Sequence, residues 1–247
     1  MTTTSADPTL PPGVGAADAG DVGGAVDAAA AIATAHFDGI LPRLEEHAAR
    51  LAAEIAEGDA LTAARIDDIV EVHAHQLLDE SAKGVYGAGF IATVDLLTDT
   101  ASHLSWWQGP DRRKLVFPAE SVKQGIDYRE LEWFRIPMTT GRPHVAGPYV
   151  DYLCSDEYTM TAAWPVRVGG EFVGVAGLDV LIDTIEEALT RPLSALGVPL
   201  LLVNGVNRVL VSTDVRFSAG DVLRPERIEI LERRASARVD LAVVRLA

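Results

Sequence analysis

Two long β-rich runs, Tyr158–Val168 and Glu171–Ile182, are joined at Gly169-Gly170. Paired glycines accept the positive φ angles of a tight turn, so the two runs form an antiparallel hairpin. Whatever else the chain does, its fold has to contain an antiparallel sheet built on this hairpin. The second run is apolar from Val175 to Ile182 with one exception, Asp179. A carboxylate in such a run is costly unless something partners it.

The flanking sequence supplies more strands and a set of helices. Gly84–Phe90 (GVYGAGF) opens a strand that continues through Ile91, Val94, Leu96 and Leu97. Its glycines follow a helix in the order G-x-x-G-x-G, which is not the dinucleotide-binding order, and they read as points of close packing. His103–Gln108 and Lys114–Phe117 form a hairpin about the turn GPDRR at 109–113. Tyr128–Met138 reads as a short helix capped by Asp127 and ended by Pro137 and Gly141; Pro143–Val150 reads as extended. Asp183 caps a helix running to about Leu196.

Upstream, Leu41, Leu44, Ala48, Leu51 and Ile55 make one apolar helical stripe between Ala25 and Glu57, with a turn or kink near Gly39 and Pro42. Ile66, Ile69, Val70, His73 and Leu77 make a second stripe over Leu61–Glu80, with Asp59 as its N-cap. Such stripes cover a sheet of the same chain or a second copy, so a homodimer through residues 25–80 is one expectation. Downstream, Leu200–Val203 and Arg208–Ser212 flank Asn204-Gly205, another hairpin signal. Pro225–Arg234 reads as helical and Val239–Leu246 as a last strand. The organisation expected is a disordered tail (1–24), N-terminal helices (25–80), a main domain (81–197) and a small αβ lobe (198–247), with an α+β fold overall.

The balance of charge excludes some partners. A net charge of −15 gives no basic patch for nucleic acid or an anionic membrane. The first basic residue is Arg43, so no signal-peptide n-region precedes the Ala-rich run, and no apolar stretch is long enough to span a bilayer. A cytoplasmic location is the expectation. Cys154 is the sole cysteine and reads as a small half-buried residue. His73 and His75 lie two apart on a helix and so face different ways; no metal or other cofactor is expected.

Asp151 and Asp179 stand among Trp133, Phe134, Tyr149 and Trp164. Acids beside aromatic rings suit a cationic or amino-bearing ligand. Trp106 and Trp107 are adjacent, so they face opposite sides of their sheet, one toward a pocket and one toward the helices. Trp107 is placed in the pocket.

The element order and three motifs resemble the PAS-like sensor domains of the Cache family, in their double, amino-acid-binding form. Trp133-Phe134 resembles that family's Trp-Tyr pair, Pro148-Tyr149-Val150-Asp151 its Pro-Tyr-x-Asp, and Gly177-Leu178-Asp179 the Gly-x-Asp of its last long strand. The likeness covers about residues 81–196, and the segment from Val198 is similar to the start of a second lobe. It implies a PAS-like antiparallel sheet with a long N-terminal helix and no catalysis. Trp107, Tyr128, Trp133, Phe134, Tyr149, Asp151 and Asp179 would contact the ligand. The chain departs from the family at Leu131, where the arginine that grips a ligand carboxylate would stand, and at Ile126, where a tyrosine would stand unless Tyr128 replaces it. Two acids without that cation favour an organic amine over a standard amino acid. A sensor lacking membrane spans would signal by association with a transcriptional regulator or other signalling protein. Two other readings stay open: an interaction module with a vestigial pocket, and a hydrolase using Asp151 and Asp179 as an acid–base pair.

Overall fold

The computed structural model describes residues 22–58, 60–80, 84–116, 127–152 and 157–247. The expectations for the tail as far as Asp21 and for Asp59, Phe117, Ile126 and Cys154 lie outside them. Three helices come first: α1 (Val22–Phe37), α2 (Leu41–Ala56) and α3 (Ala63–Glu80). Helix α1 therefore begins inside the segment expected to be a tail. The break between α1 and α2 falls where Gly39 and Pro42 place it, because Pro42 sits in the first turn of α2, where no backbone N–H is needed. Thr62 takes the capping role at α3, its hydroxyl accepting from the Arg65 amide at 3.2 Å.

The main sheet has six strands in the order β3-β2-β1-β6-β5-β4, all pairs antiparallel. They are β1 (Val85–Ala92), β2 (His103–Gln108), β3 (Arg113–Lys114), β4 (His144–Val150), β5 (Tyr158–Val168) and β6 (Glu171–Leu181). The β5–β6 hairpin at Gly169-Gly170 stands inside this sheet, flanked by β1 and β4. Strand β1 ends at Ala92, short of the expected Leu97, and Asp95 turns the chain at φ 64°.

Helices α2 and α3 cover one face. Leu41, Leu44, Leu51 and Ile55 of α2 and Ile66, Val70 and Leu77 of α3 are buried in one core with Phe90, Met160, Leu178 and Val180 of the sheet. Each such side chain contributes roughly 1.5–3 kcal/mol. The two stripes are thus spent on the chain's own sheet. Asp67 of α3 fastens the helix to the sheet edge by accepting from His103 at 2.8 Å and Ser105 at 2.6 Å and pairing with Lys114. Burial opposes ionisation of Asp67, but these hydrogen bonds prevail and hold its pKa at about 2.

The other face carries a 3-10 turn (Tyr128–Glu130) and helix α4 (Glu132–Thr140). The single helix expected over Tyr128–Met138 is split at Leu131. Asp127 caps the turn as expected, and Gly141, at φ 67°, ends α4 with Pro137 left inside it.

Helix α5 (Ile182–Ser194) leads to a second sheet of order β8-β7-β10-β9. Its strands are β7 (Leu200–Asn204), β8 (Val209–Ser212), β9 (Ile230–Ala235) and β10 (Leu241–Leu246). The helix expected over Pro225–Arg234 does not form; the segment makes turns and then strand β9. Glu232, Arg233, Arg234 and Ala235 pair in register with β10, so a place beside that strand overrides local helix propensity. The helical layer of this lobe comes from elsewhere: α1 packs on β9 and β10, and α5 on β8. Arg234 pairs with Asp27, and Arg238 with Asp38 and Glu45, tying the lobe to the N-terminal helices.

Candidate functional site

The site lies on the α4 face of the main sheet and is set by register. Asp179 of β6 pairs with Thr161 of β5 and Gly87 of β1, so all three project to one face. Ile91, Leu104 and Trp106 reach that face from β1 and β2. Tyr149 reaches it through a bulge. Ala146 pairs with Thr161 but Tyr149 pairs with Thr159, so β4 carries one extra residue between them. Gly147 sits in that bulge at φ 94°, and a Cβ there would lie 2.8 Å from the Thr159 carbonyl oxygen. Only glycine fits, and the extra residue turns Tyr149 inward. The bulge is held from the second lobe, where Asn204 donates its side-chain amide to the carbonyls of Val145 at 3.1 Å and Gly147 at 2.9 Å.

Trp133, Tyr149, Asp151 and Asp179 line one narrow cavity together with Trp106 and Thr161. The cavity has room for about one water-sized molecule. Tyr149 and Thr161 are joined through their hydroxyls, and Thr161 donates to Asp179 Oδ1 at 2.5 Å. With Asp179 ionised, the single Thr161 proton goes to it, and Tyr149 is then the donor to Thr161. Asp151 follows β4 and is 5% exposed; its amide donates to the Glu157 carbonyl at 2.9 Å. Asp179 is 4% exposed. Burial first, and then the charge of Asp151, push its pKa up to about 8 against the Thr161 hydrogen bond. Among the described residues lining the cavity there is no lysine or arginine, and Asp179 is in no ion pair. Leu131, where the family resemblance places an arginine, packs into the apolar cluster around Phe134.

The other predicted contacts stand differently. Phe134 is buried behind the cavity, its ring 5.5 Å from Phe172 and 6.1 Å from Trp133. Tyr128 is buried with its ring 6.0 Å from Trp133, so both act as backing for that indole. Trp107 faces the helices, edge-on to His75 at 6.1 Å with Lys114 over its ring at 5.7 Å. Its expected place in the pocket is corrected: adjacent strand residues alternate, and Trp106 is the one that turns to the cavity. Thr161 went unread in the sequence, and of the adjacent pair Trp106 and Trp107 the pocket was given to the wrong one. The signal for Trp106 was present in the glycines at 87, 89 and 177, which leave a flat space for an indole once the strands are in register.

The histidines considered for metal have other roles. His73 bonds Glu54 at 2.6 Å, and His75 packs on Trp107. No group of three or more metal-ligating side chains occurs among the described residues. None of the described helices is long and apolar enough to cross a membrane.

Residues 114–187 match the family model described as "Methyl-accepting chemotaxis protein-like, first PDC sensor domain". Among solved structures, the extracellular domain of mmHK1S-Z3 is similar at TM-score 0.65 and 14% identity, covering 93% of this chain and 95% of that one. The ligand-binding domain of the Pseudomonas fluorescens chemoreceptor CtaA, in complex with L-valine, is similar at TM-score 0.61 and 16% identity, covering 91% and 94%. That of the Pseudomonas aeruginosa PAO1 amino acid chemoreceptor PctC, in complex with GABA, is similar at TM-score 0.58 and 18% identity, covering 92% and 97%. This chain carries the α+β fold of the PDC/Cache-type sensor domains, and its residues 114–187 match the model of the first such domain.

Proposed function

We propose that this protein is a non-catalytic sensor domain that binds a small organic amine, or an amino-acid-like ligand, between Asp151, Asp179, Trp133 and Tyr149. One observation carries the reading: Asp179 is buried beside Asp151 with no cationic residue among the described lining of the cavity. A ligand ammonium would bring a positive charge beside Asp179, and the indole and phenol rings would add cation–π attraction worth ~0.5–2 kcal/mol. The solved relatives in complex with GABA and L-valine support ligand sensing as the general role. Occupancy would be passed on by association with a signalling partner.

The test is calorimetric titration of the full chain with a panel of small amines and amino acids. Sub-millimolar binding that is lost in Asp151→Asn and Asp179→Asn supports the reading. A panel with no binder, or a binder indifferent to both substitutions, overturns it. The narrowness of the cavity favours a second reading, a module whose pocket is filled by its own side chains. A crystal structure grown with the best binder and showing an unchanged cavity would select that alternative.

A further inference from the structure

The amine reading leaves one polar group of the cavity unexplained. Trp106 is 3% exposed and lines the cavity, yet its indole Nε1 has no hydrogen-bond partner among the described residues. A buried donor without an acceptor costs about 1–3 kcal/mol, which is why nearly all such groups are paired. The indole is held in place by the strands beneath it. A Cβ on Gly89 would lie 2.8 Å from its Cε3, and a Cβ on Gly177 would lie 3.2 Å from its Cζ3. Those two glycines pair with each other across β1 and β6, so the ring lies flat on bare backbone.

The N–H edge has a defined place. A Cβ on Gly87 would lie 2.6 Å from Trp106 Nε1, and Gly87 is the β1 partner of Asp179. The unused donor therefore lies on the Asp179 side of the cavity, next to the place where a ligand ammonium would sit.

We infer that Trp106 reads a hydrogen-bond acceptor on the ligand, and that the ligand is a compact amine carrying a neutral oxygen a few bonds from its nitrogen, of the amino-alcohol kind. Neutrality follows from the lining, in which two carboxyl groups would repel a carboxylate and no described cation would hold one. Compactness follows from the narrow space between Trp106 and Trp133. The inference rests on the amine reading but adds a preference that reading does not require.

The experiment compares ethanolamine, n-propylamine and glycine by calorimetry. The two amines are nearly equal in size and differ in the hydroxyl. The wild-type chain is expected to bind ethanolamine roughly 3–10-fold more tightly than propylamine, the worth of one neutral hydrogen bond, and to bind glycine less well than either. In Trp106→Phe the preference for ethanolamine disappears. Should that variant fail to fold, the Trp106 indole N–H resonance of the wild type serves instead, moving downfield with ethanolamine and not with propylamine. Equal binding of the two amines by the wild type, a preference kept in Trp106→Phe, an indole resonance that ignores the hydroxyl, or glycine binding as tightly as ethanolamine each overturn the inference while leaving the amine reading in place. Absence of binding by both amines overturns the inference, and the amine reading falls with it only when the wider panel also yields no binder.

Discussion

Strand β4 has an acid pair at each end, and the two are treated in opposite ways. At its start, His144 lies between Glu132 of α4, at 2.9 Å from Nε2, and Asp240 of the second lobe on Nδ1, while Asp240 also accepts from the Val145 amide at 2.9 Å. Just past its end, Asp151 lies near Asp179, which accepts from the Thr161 hydroxyl. Burial disfavours a charged His144, but the hydrogen bonds and charges of the two acids overcome it and raise its pKa to about 9. Burial disfavours a charged Asp179 too, and there the neighbouring charge adds to the penalty. One pair has its cation built in and closes a joint between lobes. The other has no cation among its described lining residues. The difference is what the proposed ligand ammonium would make good.

The contrast is broken most severely at His144. His144→Ala leaves two carboxylates facing each other at the joint and is expected to cost about 3–5 kcal/mol, read as a lowered denaturant midpoint. A variant as stable as the wild type would mean that the histidine is not the cation that holds the lobes. Next in size, Asp179→Asn is expected to weaken amine binding by about 2–5 kcal/mol while raising the melting temperature of the ligand-free chain, because a desolvated acid has been removed. Binding and stability move in opposite directions at this position, whereas truncating an ordinary core residue lowers stability. Thermal shift with and without ligand checks both.

The pH dependence sharpens the comparison further. Asp179 has a folded-state pKa above its unfolded value, so the stability it contributes is complete below about 3.8 and is lost as pH rises through about 8. His144 behaves with the same sign in a later window: its contribution is complete below about 6.5 and is lost as pH rises through about 9. The advantage of Asp179→Asn over the wild type should therefore grow from pH 4 to 8 and then level off. The penalty of His144→Ala should hold to pH 6.5 and shrink beyond it. Melting curves across that range read both. Amine binding, which requires the carboxylate form of Asp179, should release a proton below pH 8 and strengthen as pH rises toward it. The smallest effect is expected at Tyr149→Phe. Loss of its donation to Thr161 should cost about 0.5–1.5 kcal/mol of binding, with the melting temperature nearly unchanged.

Much of this contrast was visible in the residues alone. The acid at Asp179 stood out because its run is apolar, and the Gly169-Gly170 turn set the hairpin that carries it. Tyr149 and Asp151 were legible through their motif. The choice between Trp106 and Trp107 was not, since alternation says that they differ but not which one faces the site. That depends on pairing with Gly87 and Gly89, a long-range register that periodicity does not supply. Thr161 was hidden for the same reason: it matters as the partner of Asp179 on the next strand. The histidine joint was hidden more deeply, because His144 and Asp240 are far apart in the chain and meet through two sheets. The failed helix at 225–234 has the same root, an edge-strand place beside β10 that local propensity cannot register.

Asn204 carries a practical lesson for anyone dissecting the chain. By gripping the carbonyls of Val145 and Gly147 it makes the cavity-facing bulge a shared possession of both sheets. A truncation at Gly197, the natural cut from a sequence viewpoint, would deliver a first sheet whose cavity wall had lost its brace. The two lobes are separate by topology and joined at this bulge, so transplanting the pocket into another scaffold means transplanting the strand that braces it.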